Sequence, residues 1–127
     1  MIGQILKFVR QGFWPDSFYP SVATALTATG STQATALLVT SELSLFGTVA
    51  ASTGAILPLN AEPGDELVVV NGGANALSVY PQTGATINGG SANAAFSVAA
   101  GKSARFTAYQ VTGRGVGTVN WVALLSA

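Results

Sequence analysis

From Ser21 to the end of the chain the sequence consists of short runs of Val, Thr and Leu, interrupted by Gly, Asn and Pro, with no sustained helical period. Runs of that length, rich in β-branched residues and bounded by turn formers, are strands. The spans 22–28, 33–40, 43–50, 55–59, 65–71, 75–80, 93–99, 103–111 and 116–125 are the expected strands, and no helix longer than two turns is expected after residue 21. Many short strands at this spacing predict an all-β fold, a single β-sandwich with a jelly-roll-like order, because closing two sheets over one another buries one face of each. Within 103–111, Ala104, Phe106, Ala108 and then Gln110 fall on one side, with Ser103, Arg105, Thr107 and Tyr109 on the other. The first set is the inward face.

Turn chemistry agrees. Glu62-Pro63-Gly64-Asp65 places Pro and Gly where a type II turn requires them. Asn71-Gly72-Gly73 and Asn88-Gly89-Gly90 offer residues that tolerate positive φ, and each is expected to reverse the chain between strands. The similarity of 71–79 to 88–98 is read as shared turn-then-strand grammar rather than as an internal repeat.

One boundary stands out, near Pro20. It separates a leader, 1–20, from a β-sandwich domain, 21–127. In the leader Ile2, Ile5, Leu6, Val9 and Phe13 recur at the offsets of one helical face, opposite Gln4, Lys7 and Gln11. Gly3 and Gly12 each weaken such a helix by ~1 kcal/mol relative to Ala, and Pro15 disfavours helical angles at Trp14. A short amphipathic helix followed by an extended arm is expected. Phe13, Trp14, Phe18 and Tyr19 concentrate aromatic area in that arm. A helix this short needs a surface to lie on, either its own sandwich or a neighbouring chain; on the second reading Ile2, Ile5, Leu6, Val9, Phe13, Trp14, Phe18 and Tyr19 are the candidate partner-binding residues. The leader is not a secretory signal, since its basic residues fall inside and after the apolar stretch. The chain is therefore expected to be soluble and unprocessed.

Charge sets the expected behaviour in solution. Only 8% of the 127 residues are charged, five basic against five acidic, while 49% are hydrophobic. So little charge promotes association, and a homodimer or homotrimer is expected. Five scattered basic residues make no stripe for a phosphate backbone, so no nucleic-acid partner is expected. No membrane-spanning run is present either.

Histidine and cysteine are both missing. That removes the usual neutral-pH base, thiol nucleophiles and most transition-metal ligands, so no catalytic residue, cofactor or metal is expected. Glu62, Asp65 and Glu66 could form a carboxylate pair or a calcium site. Strand alternation sends Asp65 and Glu66 to opposite faces, which favours a solvated turn. Gly113-Arg114-Gly115-Val116-Gly117 lacks the Lys-Ser/Thr pair and helix of a phosphate loop, and reads as a Gly-rich hairpin. Trp121 and Tyr80 could stack on sugars, but lone strand aromatics are more often packing residues.

The body also carries a recognisable set of segments: Leu57-Pro58, Pro63-Gly64-Asp65, Val68-Val69-Val70-Asn71, Gly73 to Pro81, Thr86-Ile87-Asn88-Gly89 and Ala94-Ala95-Phe96-Ser97-Val98. Over about 24–127 it resembles virion proteins of tailed phages and prophages, in particular capsid decoration, or cement, proteins. The resemblance implies a β-sandwich or jelly-roll module on the outer capsid surface, whose partners are the phage major capsid protein and copies of itself, and which clamps neighbouring coat subunits. The same kind of module occurs in tail fibres and spikes, where it binds a receptor or carbohydrate; that is the alternative expectation. The resemblance does not extend to the leader.

Overall fold

A computed structural model of the chain describes residues 21–112 and 118–127. The expected leader helix and arm lie outside these residues. The described part holds nine strands: β1 (Val22–Thr27), β2 (Leu37–Leu38), β3 (Leu43–Thr48), β4 (Gly54–Ile56), β5 (Glu66–Asn71), β6 (Leu77–Tyr80), β7 (Phe96–Val98), β8 (Ser103–Thr112) and β9 (Thr118–Leu125). Each overlaps one of the expected spans, and no α-helix occurs among the described residues. The span 33–40 shortens most. Gln33–Thr35 form a single 3-10 turn, in which the Thr32 and Thr35 hydroxyls lie 2.9 Å apart and Thr35 N donates to Thr32 O at 3.2 Å. Threonine hydroxyls here compete with ladder formation.

The strands divide into a five-stranded sheet, β1-β3-β5-β8-β9, and a four-stranded sheet, β2-β4-β6-β7. From β1 to β6 the chain alternates between the two sheets. Successive members of each sheet therefore run the same way: β1, β3 and β5 are parallel, as are β2, β4 and β6. Parallel neighbours need a crossover connection, and here a strand of the opposite sheet serves as the crossover. After β6 the pairing turns antiparallel, in β6–β7, β5–β8 and the β8–β9 hairpin. The outcome is two mixed sheets. A jelly roll is built of antiparallel Greek keys, and the coil-like winding of the first six strands departs from that expectation.

One hydrophobic core lies between the sheets. Phe46, Val69, Phe106 and Trp121 enter it from the five-stranded sheet, and Leu77, Val79 and Val98 from the four-stranded one. Phe96 and Phe106, from opposite sheets, meet edge to face with ring centroids 5.8 Å apart, a favoured aromatic geometry. Ala104, Phe106 and Ala108 are buried, as the alternation in β8 predicts. Gln110 is not. A bulge between Ala108 and Gln110 inserts Tyr109 without a partner, so Gln110 comes opposite Asn120 and the alternation shifts by one.

The turn at 62–65 forms as expected: Gly64 has φ +93 and Asp65 N donates to Glu62 O at 2.9 Å. At 87–90, Asn88 (φ 56) and Gly89 (φ 68) both take positive φ, and Gly90 N donates to Ile87 O at 3.1 Å. The 71–73 segment differs from expectation. None of its residues has positive φ; its glycines are there for close approach. A Cβ on Gly73 would lie 2.6 Å from Val49 N, and one on Gly72 would lie 3.1 Å from Phe46 O. The segment passes the chain from one sheet to the other instead of making a hairpin.

Candidate docking surface

The outer side of the five-stranded sheet is the feature of the described surface that most needs a partner. Strand register places Val22, Leu43, Val68, Arg105 and Leu124 side by side across all five strands. A second row joins Leu45 to Val70 and Ser103, and a third joins Glu66 to Thr107 and Val122. Their neighbours in sequence point inward: Ser44, Val69, Ala104 and Ala123 are buried. On the outside, Val22 is 52% exposed, Leu124 56% and Val122 39%. Apart from Arg105 and Glu66, these rows are apolar or carry only hydroxyls.

Local sequence makes this surface. β5 reads Glu-Leu-Val-Val-Val-Asn, and β3 sets Leu43 and Leu45 outward between inward Ser44 and Phe46. Strands apolar on both faces are typical of sheets covered on both sides. Here the core covers one side. The run of Val68, Val69 and Val70 is the signal that could have revealed the second face from sequence.

The two edges of the sheet are treated differently. β1 is an outer edge, bent by register shifts around Ala25 at φ 56, and such bulges blunt strand-to-strand aggregation. Along β9, residues 86–88 add a short parallel pairing, with Trp121 N donating to Thr86 O at 3.0 Å and Asn88 N to Trp121 O at 2.8 Å. The Asn88 side chain continues it, accepting from Ala123 N at 2.8 Å and donating to Ala123 O at 3.2 Å. Pairing at both edges is thus limited, and the broad outer face remains.

The other candidate groups find structural roles. Asp65 Oδ2 accepts from Glu62 N at 2.9 Å and so closes the turn at 62–65. Among the described residues no three His, Cys, Asp or Glu side chains gather into a metal site. Trp121 is fully buried, which removes it as a sugar-stacking platform. Tyr80 is half-buried, and its ring lies where a Cβ on Gly54 would come within 2.9 Å of it. The segment 113–117, expected as a Gly-rich hairpin, lies outside the described residues. The candidate residues Ile2, Ile5, Leu6, Val9, Phe13, Trp14, Phe18 and Tyr19 also lie outside them. No helix among the described residues is long and apolar enough to cross a membrane. Comparison with protein families, with curated proteins and with solved structures finds no match.

Proposed function

We propose that this chain is a non-enzymatic structural protein of a phage virion, a β-sandwich that binds the outer capsid surface and clamps neighbouring coat subunits. The observation that carries the reading is the apolar outer face of the five-stranded sheet, on a chain with only 8% charged residues. Interface cores are depleted of charge, and a contiguous apolar surface marks a contact site. The sequence resemblance to decoration proteins supports the choice of a capsid as the partner.

In this reading the leader residues Ile2, Ile5, Leu6, Val9, Phe13, Trp14, Phe18 and Tyr19 attach the body to a neighbouring chain. Aromatic anchors suit the task, because each buries ~150–250 Å². A protein that binds only the assembled shell stabilises it by mass action, and many weak copies add up. The test is mass spectrometry of purified particles, with the copy number measured against the coat protein. Hundreds of copies fit a decoration protein; a handful, or none, overturns the reading.

A further inference from the structure

We propose that Asn88-Gly89 is a self-modification site whose reaction unlatches the outer edge of β9. With water as the only co-reactant, the Asn88 side-chain amide converts through a cyclic imide to aspartate and isoaspartate. The inference goes beyond the virion reading and does not rest on it.

The chemistry needs an Asn followed by a residue without a side chain. The backbone nitrogen of that residue gives its proton to solvent and attacks the Asn side-chain carbonyl carbon. The N–Cγ bond forms, the Cγ–Nδ2 bond breaks, and the amide leaves as ammonia. Water then adds to either carbonyl of the ring and opens it, to aspartate or to isoaspartate, in which the main chain runs through Cγ. A Cβ on the attacking residue would crowd the ring, so glycine is the permissive neighbour. Asn precedes Gly twice in this chain, at 71–72 and at 88–89.

The fold protects one pair and leaves the other open. Asn71 is fully buried, its amide is bonded to Val98 O, Asn75 O and Gly73 N, and Gly72 N donates to Phe46 O at 2.8 Å. Ring closure there would break all of these bonds inside the molecule. Asn88 and Gly89 are exposed, Gly89 N donates to no group among the described residues, and nothing lies within 4 Å of a Cβ placed on Gly89. With φ 56 and 68 and Gly90 N bonded to Ile87 O, they form a type I′ turn. Bringing Gly89 N to Cγ takes a rotation about the Cα–C bond of Asn88, a flip of one peptide that turns type I′ into type II′. That reverses the sign of φ at the second turn residue, which glycine tolerates. Meanwhile Ala123 N donates to Asn88 Oδ1 at 2.8 Å, and a donor on that oxygen stabilises the negative charge it gains during the attack. The product then sets a carboxylate oxygen against Ala123 O, where Nδ2 had donated at 3.2 Å, and the latch on β9 opens.

The test needs no variant. The folded chain is incubated at mildly alkaline pH, where the attacking nitrogen loses its proton more readily, and sampled over time. Ion exchange should resolve a growing acidic species, since each event adds one negative charge to a chain with five basic and five acidic residues. Peptide mapping by mass spectrometry should find conversion at Asn88 about tenfold or more faster than at Asn71, which reacts only when the buried crossing opens. In urea the two pairs should convert at similar rates, because the fold is what separates them. The acidic fraction, refolded or never unfolded, should show faster amide exchange at Ala123 than the parent. Equal rates at the two sites in the folded chain, or no conversion at Asn88 under conditions where the unfolded chain converts, overturns the proposal. So does a lead for Asn88 that persists unchanged in urea, or conversion at Asn88 that leaves exchange at Ala123 as it was.

Discussion

The side-chain amide of Asn71, at the end of β5 in one sheet, donates to the carbonyl of Val98 in the other sheet at 2.8 Å. The same Nδ2 donates to Asn75 O at 2.8 Å, and Oδ1 accepts from Gly73 N at 3.0 Å. Asn71 is fully buried, so the amide ties the sheets together where the chain crosses between them. Asn71→Leu leaves two carbonyls and one N–H without their partner and should cost ~2–4 kcal/mol, since each stranded buried group costs ~1–3 kcal/mol. Urea unfolding measures it. Asn71→Asp aims a carboxylate at two carbonyl oxygens. Its folded-state pKa is raised, so the charged form penalises folding as pH rises through and above the unfolded value, and the variant should recover stability relative to the parent on acidification.

Two glycines near in sequence should respond to alanine for different reasons. Gly73→Ala brings a Cβ to 2.6 Å from Val49 N and 2.7 Å from Val49 Cβ, both rigidly placed, and overpacking of this kind costs ~1–3 kcal/mol. At Gly64 nothing lies within 4 Å of the added Cβ, but φ is +93; only the left-handed conformation is penalised there, at ~1 kcal/mol. Thermal unfolding of the two variants should rank Gly73→Ala as the more damaging. Equal effects would mean that the crossing at 71–73 can relax.

Asn88 contributes a side chain in place of a strand residue, pairing with both Ala123 N and Ala123 O. Asn88→Gly keeps the positive φ but loses both bonds, at ~1–2 kcal/mol in all. Asn88→Ala adds strain at φ 56 and should be the worse of the two by ~1 kcal/mol. Faster amide exchange at Ala123 in both variants would locate the loss at this edge.

Ser44 is buried in β3 with its hydroxyl unbonded among the described residues. Ser44→Ala removes a desolvated polar atom while keeping the shape of the site, so it should leave stability unchanged or raise it by up to ~1 kcal/mol. An increase in the denaturation midpoint at constant slope is the expected signature. A clear loss of stability would show that the hydroxyl has a partner in the folded protein.

The local signals were readable from the residues themselves. Strand positions follow from the Val/Thr/Leu runs, the type II turn from Pro63 and Gly64, and the inward series in β8 from its period of two, because each depends on backbone preferences a few residues long. Only the tertiary structure decided which strand pairs with which. Val22, Leu43 and Val68 become neighbours because the chain wraps through the opposite sheet between them, a contact no local pattern encodes. The same wrapping turns Asn71 from an apparent turn residue into a buried clamp, and makes Gly73 a point of close approach. It also determines that the outward residues of β3, β5 and β9 add up to one apolar face. Each strand shows at most a few of them, and the face exists only once the register has aligned the rows.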